Sequence, residues 1–108
     1  MTMKDIKTML GDKARELGVE ADWYASNHAP SMSEQCLYIQ RSLLHVIDLV
    51  HDECKTPDEV DELLDAMRDE AYEMYRFLQS EHFEHLAELV IVKYMALCEI
   101  SADIERNK

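Results

Sequence analysis

Apolar residues recur at intervals of three and four along most of this chain, the spacing that gathers side chains onto one side of an α-helix. One stripe, Met32, Cys36, Ile39, Leu43, Val46 or Ile47, Val50 and Cys54, holds for six turns. A second runs Val60, Leu64, Met67, Ala71, Met74 and Leu78, and a third runs Phe83, Leu86, Val90, Leu97, Ile100 and Ile104. A shorter stripe, Ile6, Leu10, Ala14 and Leu17, opens the chain.

Capping residues set the expected boundaries. The first helix covers residues 3–17, weakened in its middle by Gly11 and stopped by Gly18. Residues 19–30 hold Trp23 beside Tyr24 and end in Asn27-His28-Ala29-Pro30, which reads as a short helix or turn closing on a break. Ser31 and Glu34 form a capping box for helix two. Thr56-Pro57-Asp58-Glu59 starts helix three, with Pro at the first helical position, and Ser80 offers a start for helix four.

Connections at 55–56 and 79–80 are short enough to make helices two, three and four antiparallel neighbours. The expectation is an all-α, antiparallel up-down bundle of about four helices. It forms a single domain over 1–108, with an N-terminal helix and turn segment at 1–30 and a three-helix core at 31–108. No internal repeat, low-complexity tract or linker is evident. From Leu86 to Cys98 only Glu88 and Lys93 are charged, so helix four is apolar almost all round. Such a helix is surrounded by its bundle or by a second copy, and the pattern predicts a homodimer through residues 81–105.

Composition narrows the class. With 47% hydrophobic residues and only two Gly and two Pro, the chain is globular and suited to helices. Its three cysteines, Cys36, Cys54 and Cys98, lack CxxC spacing and are expected as buried thiols in a reducing cytosol. Lys4, Asp5 and Lys7 interrupt any signal-peptide core, and no uncharged apolar stretch reaches the ~20 residues that span a bilayer. The expected location is cytoplasmic, with no membrane partner.

Charge changes the picture most. The net charge is −12, yet residues 1–18 sum to +1, leaving −13 on the other 90. Between Asp48 and Glu73 stand eleven carboxylates against two bases, Lys55 and Arg68. That field repels phosphate backbones, which argues against direct nucleic-acid binding, and it attracts cations or basic protein surfaces. Asp58, Asp61, Glu62, Asp65 and Asp69 repeat at threes and fours along helix three, with neighbours ~5–6 Å apart, and are the candidate partner-binding row.

Asp69-Glu70-Ala71-Tyr72-Glu73 followed by Glu84-His85-Leu86-Ala87-Glu88 resembles the acidic motifs of the all-α nucleoside triphosphate pyrophosphohydrolases (MazG-like). In that family carboxylates on two neighbouring helices bind Mg²⁺ for pyrophosphate release. The resemblance implies Glu70, Glu73 and Glu88 as metal ligands, with Asp69 as a conservative replacement. It covers about twenty residues, and His85 stands where the family has an acid. A turn near 79–80 sets residues whose numbers sum to about 159 side by side, which levels Glu73 with 84–88. At ~100° per residue, however, Glu73 falls roughly 130° from the centre of the helix-three stripe and Asp69 points away from it.

The sequence therefore favours a non-enzymatic protein-interaction module without a cofactor. Its acidic face would dock on a basic partner, in the manner of an inhibitor or regulator of a nucleic-acid-handling complex carried by a phage or plasmid. A Mg²⁺-dependent nucleotide pyrophosphohydrolase and a structural subunit of a larger assembly are the alternatives.

Overall fold

In a computed structural model that describes residues 1–107, the chain is all-α. Four helices, α1 (Met3–Ser26), α2 (Pro30–Glu53), α3 (Pro57–Ser80) and α4 (Glu84–Arg106), account for 89% of it, and the described residues contain no strand. None of these helices is long and apolar enough to cross a membrane. The chain divides into two compact units, residues 2–55 and the segment from Thr56 onward with Met1. Each unit is a helical hairpin, α1 with α2 and α3 with α4.

The capping expectations meet the structure unevenly. Thr56 is the N-cap of α3, its hydroxyl accepting from the Glu59 amide, and Pro57 occupies the first turn, where a missing N–H costs nothing. The N-terminus adds a complete capping box that the sequence reading overlooked. Thr2 Oγ1 accepts from the Asp5 amide and the Asp5 carboxylate accepts from the Thr2 amide. These hydrogen bonds hold the Asp5 carboxyl below its ordinary range.

Three boundaries move. Gly18 does not stop α1, which continues to Ser26, because Gly18 serves as a packing notch. A Cβ built there would lie 2.7 Å from Gln40 Nε2, and that amide donates to the Ala14 carbonyl at 2.8 Å. Ser31 caps nothing, since Pro30 already occupies the first position of α2 and Ala29 is its N-cap. Ser80 closes α3, and α4 begins at Glu84 with Phe83 at its N-cap and no side-chain cap.

Both hairpin turns use one device. His28 and His82 adopt left-handed backbone conformations, with φ of 60° and 62°. The next amide turns back to the helix, Ala29 N–H to Tyr24 C=O and Phe83 N–H to Leu78 C=O, each at 2.9 Å. In the second turn the His82 amide also reaches the Gln79 carbonyl at 3.1 Å, completing the paired closure that ends many helices, usually on glycine.

This coincidence is part of a repeat that residue identity conceals. Adding 54 to the bounds of α1 gives those of α3, and the same step carries Pro30 to Glu84, Thr2 to Thr56 and His28 to His82. The buried residues follow the same rule. Ile6 pairs with Val60, Leu10 with Leu64, Cys36 with Val90, Leu43 with Leu97, Val46 with Ile100 and Val50 with Ile104. Only seven of the 54 positions are identical between the halves, at Thr2, Leu10, Glu16, Ser26, His28, Glu34 and Leu43. The chain thus holds two copies of one hairpin plan written in different residues, where the sequence reading found no repeat.

Two measurements check these backbone assignments. Gly11 has nothing within 4 Å of a Cβ, so Gly11→Ala should raise stability by about 0.5–1 kcal/mol in urea unfolding. Gly18→Ala should gain less, because Gln40 must swing away and give up its hydrogen bond, and should recover the full gain in a Gln40→Ala background. His28→Gly and His82→Gly should each stabilise by about 1 kcal/mol, since glycine adopts the left-handed region without the Cβ penalty. A loss of stability in either histidine variant would show that the imidazole makes a contact that outweighs its backbone strain.

Candidate functional site

The register of the second hairpin determines which carboxylates can cooperate. Tyr72 stacks against Tyr94, and Arg68 meets Cys98. Facing residues in α3 and α4 therefore sum to about 166 rather than 159, because the turn lies at 81–83. Glu73 consequently sits level with residue 93, and Glu88 with residue 78. That offset of five residues separates Glu73 and Glu88 by ~7.5 Å along the helix axis. Glu70, Glu73, Glu84 and Glu88 are all exposed. The described residues contain no group of three or more His, Cys, Asp or Glu able to hold a metal ion.

Two clefts open along the seam between α3 and α4, with the tyrosines between them. Asp61, Asp65, Arg68, Cys98, Ser101 and Glu105 line one of about 230 Å³. Tyr75, Gln79, Glu84, Ala87, Glu88 and Ile91 line another of about 290 Å³ towards the turn. Tyr72 and Tyr94 bridge the seam with ring centroids 5.5 Å apart, and Tyr75 lies 6.4 Å from Tyr72.

Arg68 organises the first cleft. Burial alone would favour its neutral form, but the hydrogen bond and charge of Asp65 outweigh that and raise its pKa, with Cys98 adding to the effect. Arg68 Nη2 donates to Asp65. Its Nε and the Ser101 hydroxyl are buried atoms without a protein partner, and both residues border a cleft wide enough for water. The hydrogen bond to the Cys98 sulfur, followed by that sulfur's charge, pushes the Tyr94 phenol above its ordinary range.

The predicted acidic row therefore divides. Asp61 and Asp65 face the seam, whereas Asp58, Glu62 and Asp69 stand exposed on the outer side of α3. The equivalent seam of the first hairpin is lined by smaller residues. Gly11, Ala14, Gly18, Ala21 and Ala25 stand 54 residues before Asp65, Arg68, Tyr72, Tyr75 and Gln79. Over that small-residue track Gln40 reaches the Ala14 carbonyl and Ser33 the Ala21 carbonyl, each at 2.8 Å. In the same hairpin, burial and then the Glu20 carboxylate raise the Cys36 thiol.

Sequence reasoning passed over Arg68, Tyr72, Tyr94 and Cys98, because two of them lie beside apolar stripes and the others looked like ordinary core. Setting the two halves against each other at a spacing of 54 would have exposed Arg68 and Tyr72 as the polar, bulky counterparts of Ala14 and Gly18. Compared with protein-family models, with curated proteins and with solved structures, the chain matches none.

The seam chemistry has a direct optical check. Cys98→Ala should lower the Tyr94 ionisation towards that of an ordinary tyrosine. Tyrosinate absorbance against pH, with Tyr94→Phe as the subtraction control, reads it, and an unmoved curve would separate the two groups.

Proposed function

We propose that this protein is a small acidic interaction module that docks through the outer face of α3 on a basic surface of another protein. An inhibitor or regulator of a nucleic-acid-handling complex fits that description. The observation that carries the reading is the exposed line of Asp58, Glu62 and Asp69, continued by Glu73, on one helix. Arg68, the base within that stretch, is already engaged with Asp65 in the seam. An exposed acidic row of this kind repels nucleic acid and attracts cationic side chains, and the attraction is strongest at low salt.

Like charges three and four residues apart cost the helix a few tenths of a kcal/mol each. A docking role gives those carboxylates a use that solubility alone does not require at this density.

The test uses Asp58→Lys, Glu62→Lys and Asp69→Lys together, which leaves the Asp65–Arg68 pair intact. A partner isolated on the wild-type chain should bind the triple variant at least about 30-fold more weakly, since like-charge juxtaposition across an interface costs several kcal/mol. Wild-type affinity should fall as salt rises. Unchanged affinity together with unchanged salt dependence would sink the proposal, provided circular dichroism shows the variant to be folded.

A further inference from the structure

The repeat singles out a feature that neither half reveals alone. Trp23, the only tryptophan in the chain, is 60% exposed in the last turn of α1. Its counterpart 54 residues on is Phe77, 56% exposed in the last turn of α3. Each has an exposed aliphatic neighbour about one turn earlier on the same side of its helix, Val19 at 65% and Met74 at 47%. Two halves that agree at seven of 54 positions thus both place a large aromatic in water at the same point of the hairpin.

The surroundings define what such a patch accepts. Glu16, Glu20 and Asp22 flank Trp23 in sequence and are exposed; Glu70, Glu73 and Glu81 flank Phe77 in the same way, with the exposed Arg76, which stands where the first hairpin has Asp22, as the one base beside it. Glu16 and Glu70 are among the identical pairs. Beside Val19, residues Arg15, Glu16, Val19 and Glu20 line a shallow hollow of about 350 Å³, and Arg15 is paired with Asp12. On α3 the i, i+4 line Asp65, Asp69, Glu73 and Phe77 runs the acidic row into the aromatic over ~18 Å.

An apolar anchor rimmed by carboxylates complements a segment with an apolar face flanked by Lys and Arg. It does not complement a second copy of this chain, which carries the same −12. We infer that Trp23 and Phe77 are the anchor residues of two equivalent docking patches, each taking one basic amphipathic helical segment of a partner protein. Apolar side chains of that segment cover the ring, and its cations meet the flanking glutamates. This inference rests on the acidic-docking reading and adds to it the apolar contacts that supply affinity, as aromatic anchors do at interfaces.

Trp23 reports its own patch. The probe is a synthetic amphipathic peptide of Leu and Lys, about 14 residues long, which spans ~21 Å as a helix. A scrambled peptide of the same composition and an oligo-lysine of equal charge serve as controls. Titrated into the full chain at physiological salt, the amphipathic peptide should shift tryptophan emission to shorter wavelength and saturate near two peptides per chain. The Trp23→Phe, Phe77→Trp double variant should show the same shift from the other patch. Read by calorimetry, Trp23→Ala and Phe77→Ala should each weaken one of the two sites by roughly 30-fold and leave the other unchanged.

Binding without an emission shift, or with affinity unchanged in both alanine variants, would overturn the anchors while leaving electrostatic docking intact. Equal binding of all three peptides would do the same. Saturation at one peptide per chain would overturn the equivalence of the patches. An emission shift that follows chain concentration without peptide would identify a second copy as the occupant and overturn the inference. If no cationic peptide binds at low salt, the acidic-docking reading itself fails.

Discussion

How closely two antiparallel helices can approach is the constraint on which the rest of this structure depends. A 24-residue helix with one apolar stripe gains little from intrinsic propensity and most of its stability from a packed neighbour. Each hairpin must therefore turn within three residues and return in register. The left-handed histidine and the following amide set that register in both halves. Once it is set, the residues at the seam decide whether the helices close or stand apart.

The two hairpins give opposite answers to that question. Along α1 the seam positions are Gly and Ala, so Gln40 and Ser33 can reach backbone carbonyls of the facing helix. Along α3 the same positions carry Asp65, Arg68, Tyr72 and Tyr75, and the rings of Tyr72 and Tyr94 fill the middle. One plan thus carries small residues along one seam and bulky, polar ones along the other. The α3–α4 seam holds the shifted ionisations of Arg68 and Tyr94, because groups held between helices feel burial and neighbouring charge together.

Periodicity made the helices legible because burial acts position by position. Val60, Leu64, Leu97 and Ile104 were placed in the core by spacing alone, and they are buried. The same rule over-extended its stripes at helix ends, where Met32, Met74, Phe83 and Leu86 keep the spacing but remain exposed. Gly18 was misread because its role depends on Gln40, far away in sequence, whereas a helix stop is a local inference. The turn at 81–83 was invisible because Phe83 caps α4 without a side-chain hydrogen bond, while Ser80 carries the usual signal and does not use it. A turn at 79–80 would level Glu73 with residues 84–88, whereas the turn at 81–83 and the Tyr72–Tyr94 contact level it with residue 93. The acidic row was legible as a row, but which of its members face the seam was not, since that depends on the partner helix.

Charge and apolar exposure usually exclude one another on a protein surface, because water solvates the first and penalises the second. Here they adjoin at equivalent places in both halves. A single exposed aromatic needs no explanation. An exposed aromatic that recurs 54 residues later, beside carboxylates each time, is harder to assign to chance once nearly every other surface position has diverged. Packing within a hairpin cannot account for side chains that are more than half exposed. What the two positions share is access to an outside surface, and the acids around them select a cationic one.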